Sequence, residues 1–331
     1  MRKGWLAGIL LPASWLFRIL VAFRRLLYFT GILKSTRMPV PVIVVGNVFV
    51  GGTGKTPVVM WLVEALRQQG YVPGVISRGF GGRGNDPRLV NPESAPRDHG
   101  DEPVLIAART YCPVVVSADR VGAATVLLKT HPEVNLIISD DGLQHYALAR
   151  DIEILLFDAR GYGNGWLLPA GPLREPVTRR RDFTVVNAEP FPDGMPDDAI
   201  RMQLVGTHAE QLRNRTQARP LAGLATTGTG RDIRIIAAAG IGHPARFFQM
   251  LRTAGLAIDE MPLPDHYDFA ANPFAEVHAD IILITEKDAV KCSRIDILRN
   301  DPRIWVVPVT AQIDRALVQH IVEKLHGYPT A

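Results

Sequence analysis

Cysteine is nearly absent from this chain of 331 residues: Cys112 and Cys292 are the only two, far apart and without metal-like spacing. That excludes a disulfide framework and a thiolate zinc site, and it fits a chain kept in a reducing cytoplasm. Acidic residues are missing from residues 1–40, where Arg2, Lys3, Arg18, Arg24, Arg25, Lys34 and Arg37 give +7. The remainder carries 30 basic against 33 acidic residues, so the net charge of +4 belongs to one segment. A basic surface spread over the body is excluded, and with it the expectation of a nucleic-acid partner. An uninterrupted apolar run of spanning length is also lacking. The run from Gly4 to Phe17 stops at Arg18, short of the roughly 18 residues a spanning helix needs. No internal repeat, long low-complexity tract or obligate protein partner is evident.

What the N-terminus does contain is "GWLAGILLPASWLFRILVAFRRLLYFTGIL", apolar, basic and interspersed with Trp5, Trp15, Phe17 and Tyr28. A cleaved signal would need an A-x-A-like site, and none is convincing. A single tilted span and a buried core helix are alternatives, but an interfacial helix fits better, with Arg18 and Arg25 two turns apart on one stripe. The expected partner of residues 1–36 is therefore an anionic membrane surface.

"VVGNVFVGGTGKTPVV" follows. The usual phosphate-binding loop, G-x-x-x-x-G-K-[ST], has a first glycine where this chain has Phe49. The physical requirements are otherwise met. "VPVIVVGN" is a β-branched run suited to a buried parallel strand. "TPVVMWLVEALRQQG" has helical periodicity through Val58, Val59, Trp61, Leu62 and Leu66, with Pro57 in the first turn and Gly70 as a C′ residue. A strand, a glycine loop and a helix N-terminus together make an anion site of converging N–H groups. The nucleotide-binding residues are then Phe49, Val50, Gly51, Gly52, Thr53, Gly54, Lys55 and Thr56. Lys55 contacts the β- and γ-phosphates of ATP, and the Thr56 hydroxyl contacts Mg²⁺.

Other motifs surround this one. "NLIISDDGLQHY" is an apolar strand ending in Asp140-Asp141, the form of a Walker B carboxylate site for Mg²⁺. "YVPGVISRGFGGR" is a strand with a glycine-rich exit carrying Arg78 and Arg83. An exposed loop arginine is ordinarily only solvated, but this exit lies where open α/β sheets bind ligands. Asp98, Asp101 and Glu102 in "RDHGDEPVLIAART" suit the start of a helix, as caps or dipole charges. "LITEKDAVK" has the wrong order for the guanine-reading N-K-x-D loop, so no guanine specificity is inferred. Strands alternating with helices predict an α/β fold, P-loop nucleoside-triphosphatase-like, with a mainly parallel doubly wound sheet. A second, smaller α/β unit and the N-terminal apolar helix complete it. The expected division is a helical segment at 1–36, a P-loop domain at 37–200, an extended linker at 201–230 containing most of "TTGTGRD", and a second domain at 231–331.

Along nearly its whole length the chain resembles the tetraacyldisaccharide 4′-kinase (lipid A 4′-kinase) family. The resemblance rests on the basic apolar N-terminus, "VGNVFVGGTGKTP", "SRGFGG", "GDEP", "SDDGLQH", "LPAGPLREP", "AGIGHPARFF", "PDHYDF" and "TEKDAVK". The family's loop has this same "GGxGKT" form, so Phe49 matches the family while departing from the general pattern. The resemblance implies transfer of the γ-phosphoryl group of ATP to the 4′-hydroxyl of an acylated glucosamine disaccharide 1-phosphate, giving lipid IVA. It implies a location at the cytoplasmic face of the inner membrane, peripheral or N-terminally anchored. It also implies that Asp101 and His266 form a catalytic dyad; Lys55, from the loop reading, is the third catalytic candidate. Because the two acid–base residues fall in different predicted units, closure of those units is expected to assemble the site. Arg78, Arg120 and Arg174 are candidates for holding ATP phosphates or the substrate's 1-phosphate. The rival from another class is a membrane-recruited ATPase switch of the septum-positioning or partition type. Val50 stands where such switches carry a signature lysine, and their membrane helix is usually C-terminal.

Overall fold

A computed structural model describes residues 5–79, 86–224 and 233–326. Arg83 and residues 225–230 of the predicted linker lie outside these. The chain divides into two compact units, residues 1–203 with 312–331, and residues 204–311.

The first unit opens with helices α1 (Trp5–Ile9) and α2 (Leu11–Phe29). One side of α2 meets the body: Ser14 is buried and donates to the Leu167 carbonyl at 2.7 Å, and Phe17 packs on the core. The opposite side carries Trp15, Leu16, Ile19, Leu20, Phe23 and Leu26, all more than half exposed. No helix among the described residues is long and apolar enough to cross a membrane.

A nine-stranded sheet follows. Strand β1 (Val42–Asn47) is buried at every position, as a β-branched run covered on both faces should be. Helix α3 (Lys55–Arg67) buries Val58, Val59, Leu62, Val63 and Leu66, each contributing about 1.5–3 kcal/mol by its burial. Its end is a Schellman turn: Gly70 has φ +84°, its amide donates to Arg67, and the Tyr71 amide donates to Leu66. The chain continues through β2 (Pro73–Ser77), β3 (Arg88–Val90), α4 (Pro96–His99), α5 (Asp101–Thr110), β4 (Val114–Val116), α6 (Arg120–Thr130), β5 (Leu136–Asp140), β6 (Ile152–Asp158), β7 (Phe183–Asn187) and β8 (Ile200–Val205). Among β1, β2, β4, β5, β6, β7 and β8 the neighbouring strands pair in parallel, and β3 runs antiparallel to its neighbour β4. β1 lies between β5 and β6. The chain order reverses across it, so the loops leaving β1, β5 and β6 meet at the switch point where such sheets bind ligands.

The second unit is a six-stranded sheet. Strands β9 (His208–Gln211) and β10 (Asn214–Pro220) form an antiparallel hairpin at its edge. They are followed by β11 (Ile235–Ala239), α7 (Pro244–Thr253), β12 (Asp259–Pro262), β13 (Ile281–Thr285), α8 (Glu286–Cys292), α9 (Asp296–Arg299) and β14 (Ile304–Val307), with β11 to β14 parallel where they pair. Strand β15 (Thr310–Ile313) is the outer edge of the nine-stranded sheet, and α10 (Ala316–Lys324) belongs to the first unit.

The predicted boundaries therefore shift. Strand β8, assigned to a linker from sequence, pairs with β7. The extended pieces after it are not a linker but the edge hairpin of the second sheet. The C-terminal residues return to the first unit, where Phe183 stacks on His320 and Lys324 pairs with Asp182 at 2.9 Å.

Candidate active site

The loop after β1 is shaped by hydrogen bonds from its flanks. Gly51 and Gly54 have φ of +103° and +96°, values that disfavour any side chain. Asn47, the last residue of β1, donates through Nδ2 to the Gly51 carbonyl and to Thr53 Oγ1, both at 3.0 Å. Val48 accepts from the Arg174 amide, and the Val50 amide donates to Pro172. Phe49 forms a bridge with Leu173 and is buried in the core, so of this residue only the backbone is open to a nucleotide. Val50, Gly51 and Gly52 are exposed, whereas Thr53 is buried. Lys55 and Thr56 begin α3, half-buried.

Two cations converge on one carboxylate beside this loop. Lys55 Nζ lies 3.7 Å from Asp141 and Arg174 Nη1 3.4 Å from it, while both also reach Asn47 Oδ1 at 3.4 Å. Burial opposes ionisation of Asp141, but these two charges hold its carboxyl below the usual range. Its neighbour Asp140 behaves oppositely. Burial, with Glu102 adding and Lys55 opposing, pushes it up to about 7. Asp140 Oδ2 accepts from Ser77 at 3.2 Å, and its Oδ1 is buried without a hydrogen-bond partner. Among the described residues no group of three or more His, Cys, Asp or Glu could hold a metal by itself. An orphaned carboxylate oxygen beside a hydroxyl and a second carboxylate is nonetheless a hard oxygen set that fits Mg²⁺ completed by phosphate oxygens.

The three candidate arginines differ. Arg174 faces the loop as described. Arg78 is exposed at the end of β2, and its charge is felt by Arg120 and His145. Arg120 is 2% exposed, with Nη1 donating to the Ser117 carbonyl at 2.7 Å and Nη2 to the Asp140 carbonyl at 3.0 Å. Burial lowers its pKa to about 10. Its fork is committed to two backbone oxygens, so it braces the strand ends that carry Ser117 and Asp140.

A second network fixes the segment after Asp141. Glu175 accepts from Gln144 Nε2 at 3.0 Å, from the Tyr146 hydroxyl at 2.7 Å and from Arg179. Arg179 also pairs with Glu153, which Arg150 reaches at 2.9 Å, while Arg150 donates to the Leu143, His145 and Leu148 carbonyls. Burial first, then Arg120 and Arg78, lower the His145 pKa to about 4; burial and Glu175 raise that of Tyr146 to about 12.

Asp101 is the first residue of α5, half-buried and one residue before Glu102. It lies in the first turn, where helix N-terminal amides favour a carboxylate. In the second unit His266 has φ +58°, and its amide donates to the Gly240 carbonyl at 3.1 Å. The Gly240 amide in turn donates to Asp288 at 3.1 Å, and Thr285 Oγ1 donates to the same oxygen at 2.7 Å. The "TEKD" motif thus fastens the turn that presents His266, a role its sequence did not announce. Also unpredicted are Asp158 and Arg160 beside the loop after β1. Their signal, a strand-terminal "DAR", is shared with countless ordinary turns.

Comparison with known proteins finds relatives along nearly the whole chain. The family model of tetraacyldisaccharide-1-P 4′-kinase matches residues 6–326. A tetraacyldisaccharide 4′-kinase from Janthinobacterium sp. (strain Marseille) is 62% identical over 98% of this chain and 94% of its own length. One from Herminiimonas arsenicoxydans is 61% identical over 100% of this chain and 95% of its own length. The crystal structure of "apo" form LpxK from Aquifex aeolicus in complex with ATP superposes with a TM-score of 0.79 at 30% identity, covering 97% of this chain and 99% of that one.

Proposed function

The chain belongs to the tetraacyldisaccharide-1-P 4′-kinase family, and from that premise we propose how its residues divide the work. The activity is ATP-dependent phosphorylation of the 4′-hydroxyl of a tetraacylated disaccharide 1-phosphate in lipid A synthesis. The observation that carries the site reading is the convergence of Lys55 and Arg174 on Asp141 at the mouth of a glycine loop.

Phosphoryl transfer depends on positioning and charge neutralisation more than on covalent chemistry. The loop from Phe49 to Thr56 supplies backbone amides to the phosphates of ATP. Lys55 and Arg174 offset the charge on the β- and γ-phosphates. Thr56, Asp140 and Asp141 would hold Mg²⁺, which when bound screens the phosphate oxygens; the buried, unpartnered Asp140 Oδ1 supports that assignment. Asp101 accepts or orients the proton of the acceptor hydroxyl, and His266 aligns that carboxylate or tunes its acidity. These last two roles stand on the family resemblance. The exposed apolar side of α2, with its arginines, attaches the chain peripherally to the cytoplasmic face of the inner membrane.

The test is transfer of label from γ-labelled ATP in detergent micelles, with and without acylated disaccharide 1-phosphate. Wild type should label the lipid, and Asp101→Ala and His266→Ala should lose turnover by at least about a hundredfold while remaining folded. Unchanged turnover in folded His266→Ala would remove the dyad. ATP hydrolysis without labelled lipid would favour the membrane-recruited switch.

A further inference from the structure

The departure at Phe49 has a structural counterpart 110 or so residues away. Asp158, the last residue of β6, has a side chain 1% exposed, and it holds Arg160 through both carboxylate oxygens. Nε lies 3.0 and 3.1 Å from them, and Nη2 is 2.7 Å from Oδ2. So fixed, the guanidinium reaches the loop. Its Cζ is 4.1 Å from the centre of the Phe49 ring, Nη1 donates to the Val50 carbonyl at 3.2 Å, and Nη2 donates to the Gly52 carbonyl at 3.2 Å. The loop peptides are trans, and in a trans peptide the C=O and the following N–H point in opposite directions. Drawing the Val50 and Gly52 carbonyls toward Arg160 therefore turns the Gly51 and Thr53 amides away from it.

We propose that Arg160 is the positioning residue of the nucleotide loop: anchored by Asp158 and seated on Phe49, it pre-sets the Gly51 and Thr53 amides for the phosphates of ATP. This rests on the reading of the loop as the ATP site. In a loop with a glycine at position 49, the backbone itself could adopt the required turn. Here the aromatic side chain occupies the core and its face becomes the seat of the guanidinium, which a planar fork fits and a lysine ammonium does not. Arg160 acts through the loop and touches neither reacting oxygen, so its effect falls on ATP affinity rather than on the chemical step.

The experiment compares full-length Arg160→Lys, Asp158→Asn/Arg160→Ala and Phe49→Leu with wild type in micelles. ATP affinity is measured by calorimetry, and KM for ATP and kcat by lipid phosphorylation. The double variant removes both charges together, so no buried carboxylate is left unpaired. Losing the charge-assisted bonds should weaken ATP binding and raise its KM by about tenfold or more, with kcat and the KM for lipid little changed. Arg160→Lys should recover little of that loss, and Phe49→Leu should shift affinity in the same direction by less. Unchanged ATP affinity in folded double variant and Phe49→Leu overturns the proposal. So does a fall in kcat at unchanged affinity, which would mark Arg160 as acting on the transferring group. Because ATP affinity is read without lipid, a wild type that binds ATP but leaves the lipid unlabelled refutes the kinase reading alone.

Discussion

Removing Arg179 should be strongly destabilising. Its side chain is 3% exposed and that of Glu175 2%. Arg179→Met keeps the apolar stem but leaves Glu175 buried with two neutral donors, Gln144 and Tyr146, and no countercharge. Glu153 fares better, because Arg150 still reaches it at 2.9 Å. Breaking a buried pair costs about 3–5 kcal/mol, and the retained Arg150 contact puts this site toward the lower figure. At about 2–4 °C per kcal/mol for a unit of this size, a loss near 3 kcal/mol lowers Tm by roughly 6–12 °C. Thermal unfolding followed by circular dichroism reads this directly, with the transitions of the two units fitted separately. The companion variant Glu175→Gln/Arg179→Met removes both charges. Its amide can still accept from Gln144 and donate to the Tyr146 oxygen, so most of the lost Tm should return. A single variant within 2 °C of wild type, or a double variant no more stable than the single, would refute the reasoning.

Three other outcomes follow from particular residues. His145, whose pKa falls to about 4 from an ordinary 6.5, binds fewer protons folded than unfolded in that window. Stability should therefore fall as pH drops from 6.5 toward 4, and His145→Gln should flatten that slope in urea titrations. Phe23→Glu or Leu20→Glu on the exposed side of α2 should cut co-sedimentation with anionic liposomes several-fold and leave ATP binding unchanged; equal sedimentation would dissociate that face from membrane attachment. Cys112 and Cys292 are buried, and burial raises both thiols above their usual pKa. Neither should react with an aromatic disulfide reagent at neutral pH until the chain is unfolded, which a rapid native reaction would contradict.

The parts of the fold legible in the sequence are those whose cause is local. The run Val42–Asn47 is β-branched because both its faces are covered, and the turn at Gly70 is a glycine because the backbone there is left-handed. Each is decided within a dozen residues. The unit boundary is not local. Strand β8 is only partly buried, and it is its place between β15 and β7 that assigns it to the first sheet. The return of α10 to that sheet is likewise carried by contacts with residues far upstream, Asp182 and Phe183 among them.

The candidate site divides in the same way. Lys55, Asp140 and Asp141 stand out as candidates in the sequence because a phosphate site would place such groups at fixed offsets from a strand end. Arg120 looked equally available, yet its position beneath the strand ends, where two carbonyls take its fork, depends on three strands being side by side. Phe49 shows why a motif mismatch is informative only in three dimensions. By itself the residue breaks a pattern. Beside β6 it becomes one wall of a seat whose other parts, Asp158 and Arg160, are brought to it by the parallel pairing of β1 with β6 in register from Ile43–Ile152 to Asn47–Leu156. That register sets the exits of the two strands next to each other, so a change in either loop length should disturb the seat before it disturbs the sheet.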